Sequence, residues 1–115
     1  MRATTYVWPI LPGKQEAWRR YCQVLVGRFS REYAESRRQL GIKREQIWLA
    51  QTLHSDLAIV YLEAQHPEDL LVQLDASDLP FDRWLRKQLL ELHGLNLAQP
   101  RLYPVSELIL AWQAP

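Results

Sequence analysis

The chain predicts an α+β fold, with four antiparallel strands in one sheet and helices across one of its faces. Two segments, Leu57-Ala58-Ile59-Val60-Tyr61-Leu62 and Leu108-Ile109-Leu110-Ala111-Trp112, are apolar at odd and even positions alike. Alternate residues of a strand point to opposite faces, so strands of this kind need cover on both sides. A length of 115 residues suits one domain spanning 1–115, with helix enough for only one sheet face. Stretches of strand period and helix period then follow one another in the order β-α-β-β-α-α-β. The uncovered face needs a second layer, and another copy of the same chain is the simplest source. The expected partner is therefore the protein itself.

Each element has a local reason. Residues 3–11 are β-branched and aromatic, with Pro9 marking an end or irregularity because it cannot donate to a ladder. Pro12-Gly13 turns the chain. From 14 to 40 a helical stripe recurs at three- and four-residue spacing through Trp18, Tyr21, Cys22, Leu25, Val26, Phe29 and Tyr33. Gly41 is placed for a C-cap, and Arg37 and Arg38 suit the negative end of the dipole. The basic residues here interleave with Glu16, Glu32 and Glu35, which reads as a solvated helix face. Residues 46–53 and 57–64 form a hairpin across His54-Ser55-Asp56. Pro67 opens a short helix and Pro80 a longer one over 80–93, closed by Gly94. Residues 95–104 cross over to a last strand at 107–113.

This order, a split β-α-β pair around a central hairpin, is the ferredoxin-like arrangement. Placing Leu53 opposite Asp56 sets Leu49 against Val60 and Ile47 against Leu62 on the helix side. Trp48, Ala50, Ile59, Tyr61 and Glu63 then share the other face.

Composition excludes several functions. The apolar content is 48%, the charged content 23% and the net charge +1, so no broad field draws the protein to nucleic acid or anionic lipid. RNA-binding sheets of this topology display aromatics beside glycine and basic residues, whereas the central strand here reads Ala-Ile-Val-Tyr-Leu-Glu. No run reaches the roughly 18 apolar residues of a membrane span, and nothing resembles a signal peptide. A lone Cys22 suits a reducing cytoplasm, the expected location. Three scattered histidines give no metal-ligand spacing. With four glycines and no GxGxxG, there is no phosphate cradle. No metal or cofactor is expected.

Several short motifs point to a family. Pro12-Gly13-Lys14 opens the long helix, Tyr61-Leu62-Glu63-Ala64 ends the third strand, and Ser77-Asp78-Leu79-Pro80-Phe81-Asp82-Arg83-Trp84 opens the late helix that Leu92-His93-Gly94 closes. With these the chain resembles a group of bacterial proteins of unassigned activity within the dimeric α/β-barrel superfamily. That resemblance implies a ferredoxin-like protomer whose sheet closes face to face with a second copy. The superfamily also holds antibiotic-biosynthesis-type monooxygenases, haem-dependent enzymes and isomerases, so the fold does not fix the function.

Site residues follow from chemistry and placement. His93 is a candidate acid, base or ligand, although a histidine before a C-cap glycine is also favoured by the helix dipole. Glu63 and Asp82 could border one cavity as an acid–base pair. Equally, Glu63 could be the polar end of a strand and Asp82 a partner of Arg86. Trp84, Trp48 and Tyr61 are the aromatic candidates for a ligand wall. The functional expectation is a homodimer of unassigned activity that binds a small apolar or aromatic molecule. A cofactor-independent monooxygenase or isomerase is one alternative. A structural or regulatory dimer without ligand is the other. A cavity of several hundred Å³ near Glu63, Trp84 and His93 would favour ligand binding.

Overall fold

The structure, a computed structural model, describes residues 1–99 and 106–115. Strand β1 (Arg2–Ile10) leads through the Pro12-Gly13 turn into helices α1 (Gln15–Val26) and α2 (Ser30–Gln39). Strands β2 (Ile42–Gln51) and β3 (Asp56–Ala64) follow as a hairpin. A short 3₁₀ turn (Pro67–Asp69), α3 (Leu70–Ala76) and α4 (Pro80–His93) complete the order. The helices cover one face of the sheet. Their apolar stripes meet Trp8, Ile10, Ala58, Val60 and Leu62 in a single core.

The sheet has three strands in the order β1-β3-β2, both pairings antiparallel. This corrects the expected four-stranded ferredoxin-like sheet and, with it, the α/β-barrel architecture built upon four strands. Residues 106–115 form no strand, and Leu108, Ile109, Leu110 and Trp112 lie exposed. The sequence pattern there reports strand propensity, but a ladder also needs a neighbour to supply donors and acceptors. Among the described residues neither edge strand, β1 or β2, pairs with it. The second half of the expected crossover falls within residues 100–105, which lie outside the described residues.

The predicted long helix over 14–40 is two helices. Gly27 leaves helical space at φ −105°, ψ −112°, and a Cβ there would stand 2.8 Å from the carbonyl oxygen of Gln23. Only glycine tolerates that approach. The kink turns Phe29, Tyr33 and Arg37 toward the aromatic cluster and the sheet.

The β2–β3 hairpin keeps the predicted faces while shifting its register by two residues. Gln51 lies opposite Asp56, Leu49 opposite Ala58 and Ile47 opposite Val60. A shift of two leaves every side chain on its own face, whereas a shift of one would have exchanged them. The cause is the loop. Thr52 Oγ1 accepts from the backbone N–H groups of His54 and Ser55 and donates to the Ser55 carbonyl, so four residues form the connection. At the other end of β2, an irregularity between Ile42 and Arg44 gives the strand one extra residue. This bulge brings both Ile42 and Glu45 to the helix side.

Helix α4 matches its expected bounds of 80–93. Pro80 opens it, and Gly94 ends it at φ 68°, donating to Leu90 O while Leu95 donates to Leu89 O. That is the glycine-dependent C-terminal cap that lets the chain reverse at His93.

Candidate functional site

The six candidate residues fall on two sides of the sheet. Odd-numbered residues of β3 point outward, so Tyr61 and Glu63 share the outer face with Trp48. There the Tyr61 hydroxyl donates to Glu63 Oε2 at 2.7 Å, and Arg44 approaches the same carboxylate at 3.8 Å. The hydrogen bond to Glu63 raises the tyrosine's pKa. Trp48 is 60% exposed. The cavity that His93 lines includes none of Trp48, Tyr61 and Glu63.

His93, Asp82 and Trp84 belong to the helical side, in three different settings. Trp84 packs edge-on to Phe29 at 4.9 Å between ring centres and also meets Phe81 and Tyr21. It ties α1, α2 and α4 together.

Asp82 is only 1% exposed. Its two oxygens accept from Ser36 Oγ and Ser77 Oγ, each at 2.5 Å. Arg86 turns instead to the carbonyls of Leu74 and Ser77. Ser36 spends its hydrogen on Asp82 and accepts from Arg37 Nη2 at 3.0 Å. Arg37 Nη1 donates to Glu45 Oε1 at 2.9 Å, and the Tyr33 hydroxyl donates to the same oxygen at 2.5 Å. A continuous polar chain thus runs from the first turn of α4 through α2 to β2. Burial, with Glu45 beside it, pushes the Tyr33 hydroxyl far above its ordinary range.

His93 stands against β1. Its ring centre lies 5.5 Å from that of Trp8, and its Nδ1 is 2.8 Å from the carbonyl oxygen of Pro9. A carbonyl can only accept, so Nδ1 carries the hydrogen and Nε2 is left as a bare acceptor in the neutral ring. Burial lowers the histidine's pKa below its usual 6.5, and the Pro9 bond opposes this only partly.

A linkage follows with a definite sign. An unfolded histidine takes up its proton at a higher pH than folded His93. Stability from this group is therefore complete above about pH 6.5 and falls as pH drops toward the folded value, by at most about 1.4 kcal/mol per pH unit. Urea denaturation from pH 7.5 to 5.0 should show this slope, and His93→Gln should flatten it. Equal slopes in the two proteins would mean that His93 titrates as it does in the unfolded chain.

His93 and Arg37 meet at one cavity of about 50 Å³ between sheet and helices, walled by Tyr6, Trp8, Trp18 and Tyr21. Ile42, Glu45 and Ile47 bring β2 to its wall, and Leu71 adds α3. Two residues of this wall, Trp8 and Arg37, each carry a buried donor, Nε1 and Nε, that has no hydrogen-bond partner among the described residues. Cys22, half-buried on α1, has its thiol pushed up to about 11 by burial and by Glu45, and so remains a thiol at neutral pH. Among the described residues no three of His, Cys, Asp and Glu gather to hold a metal ion, and no helix is long and apolar enough to cross a membrane.

Trp8 and Glu45 were not singled out from the sequence, and Arg37 was read only as a charge at a helix end. The signals were present. Glu45 is in phase with inward Ile47 and Leu49, and Arg37 continues the stripe of Phe29 and Tyr33 four residues on. The chain matches no protein-family model, no curated protein and no solved structure.

Proposed function

We propose that the protein is a homodimer that binds a small, mainly apolar molecule bearing a hydrogen-bond acceptor, in the aromatic cavity between helices and sheet. The observation that carries this reading is the pair of buried, unpartnered N–H groups on Trp8 and Arg37. A buried donor without a partner costs about 1–3 kcal/mol, and a ligand oxygen there would return it. The rest of the wall is aromatic and aliphatic, which suits an apolar body. Because the Arg37 charge is already met by Glu45, a neutral oxygen fits better than a carboxylate.

Size narrows the choice. At about 50 Å³ the cavity is smaller than the several hundred expected, and it is remote from the outward-facing Glu63. It exceeds the roughly 10–15 Å³ needed by one water, so it takes a compact molecule or the polar head of a larger one. Cyclohexanone is the natural probe, with methylenecyclohexane as its counterpart of the same shape without oxygen. Titration calorimetry should find the ketone bound about five- to tenfold more tightly, the worth of one good hydrogen bond. Equal affinities, or binding by neither, would overturn the reading.

His93 supports a second reading, that of proton transfer without a cofactor, as in an isomerase. Its neutral ring is held by Pro9 through Nδ1, which makes Nε2 the ring's acceptor, the arrangement of a positioned general base. Exchange of the ketone's α-hydrogens for deuterium, faster than in buffer and lost in His93→Gln, would support it. Exchange at the buffer rate would leave binding alone.

A further inference from the structure

We propose that residues 106–115 form an arm that lies against the outer sheet face of a second copy; this rests on the homodimer reading above. The arm is apolar on both its sides, and Leu108, Ile109, Leu110 and Trp112 are between 77 and 83% exposed. Its root is held where Ser106 Oγ donates to the carbonyl of Thr5. From there the arm forms one wall of an open groove of about 700 Å³, with Arg2 to Thr5 and Tyr61 as the other wall.

The placement names the occupant. Thr5 and Tyr61 are cross-strand partners on the outer face. The arm therefore leaves from the rim of the face that also exposes Val7 and Trp48. Exposed arm and exposed face adjoin at this groove, and a second copy carries the same two parts. In a two-fold pairing each chain gives one arm and receives one, so both surfaces close in a single self-complementary contact. Four large side chains present on the order of 600 Å² per arm, and two arms with the faces beneath them reach the roughly 1,200–2,000 Å² of a stable dimer. Extended against a sheet, the arm would set Leu108, Leu110 and Trp112 on one side and Ile109 with Ala111 on the other. Such a segment is fully covered only between two surfaces, its own sheet and its partner's.

Light scattering at micromolar concentration tests the claim on the full chain, on a chain ending at residue 105, and on Ile109→Asp. The full chain should have a mass near twice 13.6 kDa. The shortened chain should have a mass near a single copy with unchanged far-ultraviolet circular dichroism, and Ile109→Asp should dissociate at concentrations at least tenfold higher than the full chain does. A mixed sample of isotope-labelled and unlabelled chains should give nuclear Overhauser contacts from Trp112 of one copy to Val7 or Trp48 of the other. A dimer that survives both changes, or Trp112 contacts confined to one chain, would overturn the arm while leaving the homodimer. A full chain that scatters as a single copy would overturn both.

Discussion

Asp82→Ala is expected to cost the fold about 3 kcal/mol, since hydrogen bonds to a charged group are worth about 1.5–3 kcal/mol each and two are lost. Ser36, wholly buried, would keep Arg37 as donor but lose the acceptor for its own hydrogen. Ser77 would lose the contact that fixes the entry to α4. For a domain of this size the loss corresponds to a fall of about 10–15 °C in the midpoint of thermal unfolding. Asp82→Asn should lose less, because it preserves shape and one carbonyl acceptor. Calorimetric melting of the three proteins decides this. An unchanged midpoint for Asp82→Ala would mean that the buried carboxylate contributes nothing net.

Arg37→Ala should be at least as severe, at about 3–5 kcal/mol, because removing one member of a largely buried ion pair strands the other. Glu45 would retain only the Tyr33 hydroxyl, and Ser36 would lose its donor. The effects of Asp82→Ala and Arg37→Ala should not add, since both break one chain of hydrogen bonds. Replacing the unit together, as Arg37→Met with Glu45→Leu and Tyr33→Phe, should recover much of the loss, because well-packed apolar groups commonly equal a buried ion pair. Denaturant unfolding of the single and triple variants checks both statements. A triple variant no more stable than Arg37→Ala would show that the polar chain stabilises the fold in its own right. Recovery of stability without recovery of ketone binding would place the network in the service of the cavity.

These two residues show where sequence was informative. Helix α4 was legible to the residue, because Pro80 and Gly94 act through their own backbone limits and need no tertiary partner. The inward and outward sets of β2 and β3 were legible because parity survives a two-residue error in register. The long helix was misread at Gly27, whose effect depends on a close approach to Gln23 rather than on any apolar period. The strand at 107–113 was misread for a related reason: strand propensity is local, and pairing is not.

The site divides along the same line. His93 was visible as a histidine at a helix end, and Asp82 as a carboxylate in a first turn. What each touches was not visible. Ser36, Arg37 and Glu45 come from two elements and reach Asp82 on a third, so no spacing within one element announces the chain they form. Arg37 also sits in a segment rich in exposed arginine and glutamate, where one buried pair looks like its neighbours. Glu63, Tyr61 and Trp48 were grouped correctly with one another, on the face away from the cavity.

A ligand acceptor bound at the Trp8 indole N–H is read directly by proton–nitrogen correlation spectra. The five tryptophans give five indole signals, with Trp8 assigned by its loss in Trp8→Phe. On titration with cyclohexanone the Trp8 proton should move downfield and saturate, as a hydrogen bond forms. The exposed Trp48 signal should stay in place, and Trp8→Phe should bind the ketone several-fold more weakly. A Trp8 signal that remains fixed while the ketone binds, or through millimolar ketone without binding, would contradict the proposed site.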